Sequence, residues 1–349
     1  MLRRSMVATA VAMPLLFAAG PALACGGLIG PNGAVNLGRT TTLAAYTDGV
    51  EHYVTGFSFV GAGAAFGSII PLPDVPTKVI KGGEWTLQRL LIEVAPPAPE
   101  ALAFAADSAA GASRAEVILE AKVDSLDITV LRGGGDEVGL WAKENGFNLS
   151  PDAPEVLDFY GERSPIFMAV RFDPDRAAAQ GIQQGQSTPV HVVIPTDDPW
   201  VPLRILALGK QAIEPVQADV FLLTDREPAT LPSGNPLSGE ARDGLTLSLS
   251  TEASDGLLAD LRSDRGMSWL PESGMWLSYF QLDAPAGQVD YDLAIDADGW
   301  GRPSPVDAGY AATSEPAGPD PWISWSILGA LAIAAAMMTL RRRPAGWAA

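Results

Sequence analysis

The sequence predicts an α+β protein: a sheet-rich ectodomain of mainly antiparallel strands with a few helices, plus one carboxy-terminal transmembrane helix. Three patterns predict it. Short β-type runs recur between Gly, Pro and Asp turns, and only a few stretches carry the 3.6-residue period of a helix. An uncharged apolar segment, residues 322–340, then runs directly into Arg341, Arg342 and Arg343.

The amino terminus comes first. Residues 7–19 are apolar, follow Arg3 and Arg4, and end at Ala22-Leu23-Ala24, the form of a secretory signal with small residues before the cut. Cleavage is expected after Ala24, which makes Cys25 the first mature residue. Acylation of Cys25 is the alternative, although Ala22 stands where lipoprotein signals normally carry Leu. Strands are expected at 53–60, 68–71, 126–131, 166–172, 189–194, 203–208, 220–223, 245–249, 276–282 and 289–295. Leu126, Ile128 and Val130 alternate with Asp127 and Thr129, as a strand buried on one face requires. Leu87, Leu90, Leu91 and Val94 recur at helical spacing, which predicts a helix over 84–95 ended by Pro96-Pro97. Further helices are predicted over 136–144, closed by Asn145-Gly146, and over 153–160, with Pro154 near the start. Residues 99–113 suit either a helix or a loop. Residues 301–321 carry five prolines and three glycines and read as a stalk. The next 19 residues span about 28 Å as a helix, close to a bilayer's hydrocarbon thickness, and the arginines place the 341–349 tail in the cytoplasm. A sorting tail cleaved during surface attachment is the alternative reading of this end.

All 41 acidic residues lie between Cys25 and Pro321, against 18 of the 23 Lys and Arg, so the ectodomain balance is −23. Such a surface repels the phosphate backbone of nucleic acid and anionic lipid, and it favours cationic partners or divalent ions. The expected membrane contact is therefore the one spanning helix. Cys25 is the only cysteine, so no internal disulfide is available. A chain this long can bury a sufficient core without one.

Several segments together carry a resemblance. They are Ala24-Cys25-Gly26-Gly27, Ile70-Pro71-Leu72-Pro73-Asp74-Val75-Pro76, and the run from Asp127-Ile128-Thr129-Val130-Leu131 to Trp141-Ala142-Lys143-Glu144-Asn145-Gly146-Phe147. Phe159-Tyr160, Phe167-Met168-Ala169-Val170 and Pro199-Trp200-Val201-Pro202-Leu203-Arg204-Ile205 complete the series. In this order they resemble the exported bacterial family known as domain of unknown function 2330. The resemblance implies a signal peptide and often a carboxy-terminal anchor, and it brings no reaction with it. The expected organisation is a signal peptide at 1–24, a sheet-rich family-like region at 25–215, and a β-rich region at 216–300 that either stands alone or shares the same domain. The stalk at 301–321, the spanning helix at 322–340 and the tail at 341–349 follow.

Sequence motifs for chemistry are sparse. Gly61-Ala62-Gly63-Ala64-Ala65-Phe66-Gly67 continues into an extended, proline-punctuated run instead of opening a helix, so it is no phosphate loop. Gly133-Gly134-Gly135 lacks the Lys-Ser/Thr pair of such a loop and reads as a turn. The two histidines, His52 and His191, sit in strand-like runs and read as structural. With so few nitrogen and sulfur ligands, a zinc site is not expected, nor is any cofactor. Asp290, Asp292, Asp296 and Asp298 before Gly299 are weak calcium candidates, since hard oxygen ligands near a glycine turn suit that ion, although their spacing matches no EF-hand. Trp269, Trp276 and Trp300 are candidates for stacking on a glycan or anchoring a protein partner. The expected function is that of an anchored envelope protein whose ectodomain binds or scaffolds a protein or glycan. A carboxylate-based envelope hydrolase and an accessory subunit of a membrane complex are the alternatives.

Overall fold

The computed structural model describes residues 27–29, 36–37, 39–56, 59–60, 67–94, 115–147, 149–181, 188–299 and 301–310. Ala24, Cys25, the 99–113 segment, the 322–340 segment and Arg341 to Arg343 lie outside the described residues. Among the described residues no helix is long and apolar enough to cross a membrane.

The first elements are β1 (Gly27–Ile29), β2 (Asn36–Leu37), β3 (Thr40–Thr47), β4 (Val50–Gly56), β5 (Phe59–Val60), β6 (Gly67–Pro71), β7 (Lys78–Lys81) and α1 (Thr86–Val94). They lead to β8 (Glu116–Val123), β9 (Leu126–Arg132), α2 (Gly135–Glu144), α3 (Ala153–Arg163), β10 (Ile166–Phe172), α4 (Pro174–Ala179), β11 (Val190–Pro195) and β12 (Trp200–Val201). The remainder comprises β13 (Pro215–Thr224), β14 (Ala229–Leu231), β15 (Leu245–Glu252), α5 (Asp255–Ser263), β16 (Trp276–Pro285) and β17 (Leu293–Asp296).

These strands form a seven-stranded sheet in the order β15-β16-β13-β3-β4-β11-β7 and a five-stranded sheet in the order β1-β6-β10-β9-β8. A three-stranded sheet, β12-β17-β14, and a β2-β5 ribbon complete them. Every pairing is antiparallel except the central one between β13 and β3. Because β13 begins at Pro215 and sits in mid-sheet, the chain on the two sides of residue 215 builds one sheet.

Strand alternation sends Leu43, Ala45, Val54, Phe221, Leu223, Leu277 and Tyr279 to one face of the large sheet. Leu87 and Leu90 of α1 and Leu257, Leu258 and Leu261 of α5 cover that face. The two helices are tied by Asp264, which follows α5. Its carboxylate accepts from the backbone N–H groups of Glu84 at 3.0 Å, Trp85 at 2.8 Å and Thr86 at 2.8 Å, and from the Thr86 hydroxyl at 2.8 Å. These satisfy the orphan donors of α1 from far along the chain, and the charge suits the positive end of the helix dipole. Burial pushes the Asp264 carboxyl up, and these hydrogen bonds outweigh it, leaving the group below the ordinary carboxylate range.

Another buried carboxylate, Asp292, is fully enclosed just before β17. Its Oδ1 accepts from the Tyr160 hydroxyl at 2.7 Å, Leu203 N–H at 2.6 Å and Arg204 N–H at 3.0 Å, and its Oδ2 pairs with Arg163. Tyr160 also accepts from Ile205 N–H at 3.0 Å, and the Arg163 guanidinium lies 3.8 Å above the Trp200 ring.

This network explains two departures from the sequence pattern. Residues 203–208, expected as a strand, form a 3-10 turn at Arg204–Ala207, because their backbone donors go to Asp292 and Tyr160 instead of a neighbouring strand. Residues 289–295 yield a strand only over Leu293–Asp296, because Asp292 N–H donates to Ala308 O at 2.9 Å. Ala308 is fully buried and Arg302 pairs with Glu240 at 2.9 Å, so residues 301–309 pack with the folded unit. Strands β1, β2, β3, β7, β8, β12 and β14 and helices α4 and α5 were not predicted, whereas α1, α2 and α3 match their expected spans within three residues.

Asp292→Ala leaves Arg163 as an uncompensated buried cation and should cost about 3–5 kcal/mol in urea unfolding. The double variant Asp292→Leu/Arg163→Met should cost clearly less than the sum of its single changes, and additive losses would show that the pair is not coupled.

Candidate functional site

The four aspartates singled out in the sequence do not assemble. Asp290 is exposed, Asp292 is consumed by its network, and Asp296 Oδ1 accepts from Asp298 N–H at 3.0 Å and Gly299 N–H at 3.1 Å in the turn after β17. Among the described residues no three His, Cys, Asp or Glu side chains are placed to hold a metal ion. The core takes Asp292, and a turn engages Asp296.

Two of the four do reach a larger feature. Asp296 and Asp298 line a cavity of about 360 Å³ with Asp197, Asp198 and Asp307. Three chain segments build it. Asp197 and Asp198 lie in the turn between β11 and β12, Asp296 and Asp298 at the end of β17, and Asp307 in the closing segment after it. Pairing of Trp200 with Ala294, and of Ile295 N–H with Pro199 O at 3.0 Å, clamps the first two together. The Tyr46 hydroxyl, at the end of β3, donates to Thr196 O at 2.9 Å and fixes the cavity's inner wall. Arg302 also lines the cavity, and Glu240 already pairs with it.

The local field is negative. Asp198 is held above the ordinary carboxylate range, first by burial and then by Asp307 and Asp197. Tyr46 is likewise raised, first by burial and then by Asp197, Asp298, Glu51 and Asp198. Glu51 stands opposite Tyr46 in the β3–β4 register and is fully buried. Neither of its carboxyl oxygens has a hydrogen-bond partner of good geometry, and burial pushes the group up to about 8 against a pull from the Trp200 N–H. Glu51 is thus mostly neutral at pH 7, which is how a buried acid without a cation is accommodated.

A second constellation joins the two histidines, 139 residues apart in sequence. Val193 pairs with His52 and His191 with Val54, so the histidines are diagonal neighbours on one face of β4 and β11. His52 Nδ1 lies 2.9 Å from His191 Nε2, and the Trp269 ring stacks on His52 with centroids 3.6 Å apart. His191 Nδ1 is buried without a partner. A buried bare lone pair costs less than an orphaned N–H, so His191 is assigned as the Nε2–H donor to His52. Burial lowers His52 to about 4, with Lys78 adding to the shift, and lowers His191 to about 3, with His52 and Lys78 adding. Each histidine had read as structural in isolation, and their mutual contact depended on a strand register that local pattern does not reveal.

The aromatic candidates are otherwise engaged. Trp269 covers the histidines, Trp276 Nε1 donates to Ser250 Oγ at 2.8 Å, and the Trp300 side chain lies outside the described residues.

A family model described as an uncharacterized protein conserved in bacteria (DUF2330) matches residues 19–229. No curated protein matches the chain. Among solved structures, a mutated baculovirus P35 after caspase cleavage is 9% identical with a TM-score of 0.37, covering 74% of this chain and 99% of the other. Baculovirus P35 itself is 8% identical with a TM-score of 0.35, covering 78% and 94%. At these scores the likeness carries no argument.

The buried titratable groups predict opposite pH limbs. Unfolded histidine titrates near 6.5, so on acidification the unfolded chain takes up protons that the folded pair refuses. Stability should fall from pH 6.5 down to about 3 and then level. Glu51 acts in reverse: its folded value is raised from 4.5 to about 8, so its contribution is full below 4.5 and lost as pH rises through 8. In urea unfolding across that range, His52→Gln/His191→Gln should flatten the acid limb and Glu51→Gln the alkaline one. An unchanged limb in either variant would assign it to other groups.

Proposed function

This chain belongs to DUF2330, the family of uncharacterized proteins conserved in bacteria, and from that premise we propose that it is an envelope protein whose ectodomain binds organic cations. In this reading the signal is cut before Cys25, residues 322–340 hold the protein in the cell membrane, and Arg341, Arg342 and Arg343 keep the tail in the cytoplasm. The observation that carries the binding role is the cavity lined by five aspartates, in which Asp198 is held above its ordinary range first by burial and then by Asp307 and Asp197.

Charge and spacing define the ligand class. The aspartates share one cavity, yet no three of them are placed around a single ion. A ligand with several positive charges spread along a chain, such as a polyamine or a lysine-rich peptide, meets separate carboxylates at once. It also gains from the −23 background through steered association. A small divalent ion must give up water for carboxylates that, among the described residues, form no group of three able to hold it.

Spermine titrated calorimetrically into the full chain in detergent at low salt is the test. It should bind, more tightly than calcium, and Asp198→Asn/Asp298→Asn should weaken it by about tenfold or more, equivalent to 1.4 kcal/mol. Diffuse attraction to the acidic surface would hardly register the loss of two charges among 41 acids. Equal affinity in the variant would therefore remove the cavity as the site, and no spermine binding would remove the proposed function.

A further inference from the structure

We propose that the five-stranded sheet carries a second, independent binding site, a groove that takes a neutral saccharide. The groove encloses about 410 Å³, within the usual range of small-molecule sites, and shares no lining residue with the acidic cavity. It lies where the end of α2 meets the polar face of β10, β9 and β8. Small side chains leave the floor open: Thr129 pairs with Ala169 across β9 and β10.

One wall is aromatic. Trp141, near the end of α2, and Phe147, just beyond it, have ring centroids 6.3 Å apart. Phe147 rests on Gly67 of β6, where any Cβ would strike its ring, so the absence of a side chain there makes room for this wall.

The polar lining is equally fixed. Asp127 accepts from Lys122 at 2.8 Å, Arg176 at 3.1 Å and Arg171 at 3.2 Å. Burial raises its carboxyl, but these cations outweigh burial and leave it below the ordinary range, so it is a fixed ionised acceptor. Asn145 Nδ2 donates to Trp141 O at 2.9 Å, which fixes the amide orientation and leaves its Oδ1 as an acceptor. Lys122 and Arg171 retain further donors beyond those given to Asp127.

The charge balance selects the ligand. Lys122 and Arg171 oppose Asp127 and Glu120, so the lining sums to zero on an ectodomain that carries −23. A charged ligand would satisfy one sign and leave the other facing it. A saccharide hydroxyl donates one hydrogen bond and accepts others, so it can pair with either kind of group along this rim. The apolar C–H edges of a pyranose fit the Trp141 and Phe147 wall. The tryptophans proposed from sequence for glycan stacking are elsewhere, and Trp141 takes that role here.

A glycan microarray of neutral, anionic and cationic saccharides, probed with the full chain in a sugar-free detergent, tests this. Neutral glycans should bind, and calorimetry on the strongest should show at least about a tenfold loss in Thr129→Tyr, which fills the floor with a residue suited to a strand. Glu120→Gln, on an exposed position, should weaken binding while leaving unfolding unchanged, so a folding defect cannot imitate the result. Binding confined to charged glycans, no binding at all, or full affinity in Thr129→Tyr would each overturn the proposal. Spermine affinity should be unaffected by either variant, so the two sites fail or stand separately.

Discussion

The burial of Asp292 is the constraint on which this architecture turns. An ionised carboxylate in the interior is tolerable only when its charge and lone pairs are fully answered. Here α3 answers with Tyr160 and Arg163, and the turn after β12 answers with two backbone donors. All these donors lie in segments that resemble the family, Arg163 excepted, yet Asp292 lies beyond the matched residues 19–229. The same asymmetry recurs at Asp264, which caps α1 from outside the matched region, and at Tyr279, whose hydroxyl donates to Asp219 at 2.6 Å beside Arg39. Residues 230–309 therefore supply carboxylates and strands that complete the matched portion's helix cap, buried network and large sheet.

That dependence also places the acidic cavity. Asp292 anchors the chain immediately before β17, and β17 then pairs with β12 and β14. This brings the turn bearing Asp296 and Asp298 against the turn bearing Asp197 and Asp198. The order of events is physical: an interior ion pair fixes a short strand, and the strand aligns two acidic turns. Each turn is stabilised by its own backbone hydrogen bonds, so like charges are held close by geometry that does not depend on a counter-ion.

Local pattern made much of the fold legible. The spacing of Leu87, Leu90, Leu91 and Val94 located α1, and alternation from Leu126 to Leu131 located β9. What escaped was decided by distant partners. The Thr-rich strand β3 becomes central only because β13 joins it in parallel register from far along the chain. The run 203–208 has a strand's composition, but Asp292 claims its backbone donors. Helix α5 went unread although Ser254 caps it and Leu257, Leu258 and Leu261 form its buried face, because so short an apolar stripe has meaning only against the sheet. At the sites, abundant aspartate hid the five that share a cavity, and the His52–His191 contact required a register no periodicity encodes.

The two cavities differ in their electrostatics. In the acidic cavity attraction is long-ranged and is screened over roughly 8 Å at physiological salt, so occupancy there follows ionic strength. In the groove the charges are already paired at hydrogen-bond distance, and little net field extends to solvent. Its lining offers paired donors, acceptors and an aromatic wall, interactions that salt affects little. Neutralising Asp127 internally is what makes this possible on a chain so acidic. Without Lys122, Arg171 and Arg176 the groove would add to the negative surface and compete for the same cations as the cavity. The fold thus keeps an acidic cavity and an internally neutralised groove on separate sets of residues, so a change of charge in one leaves the lining of the other intact.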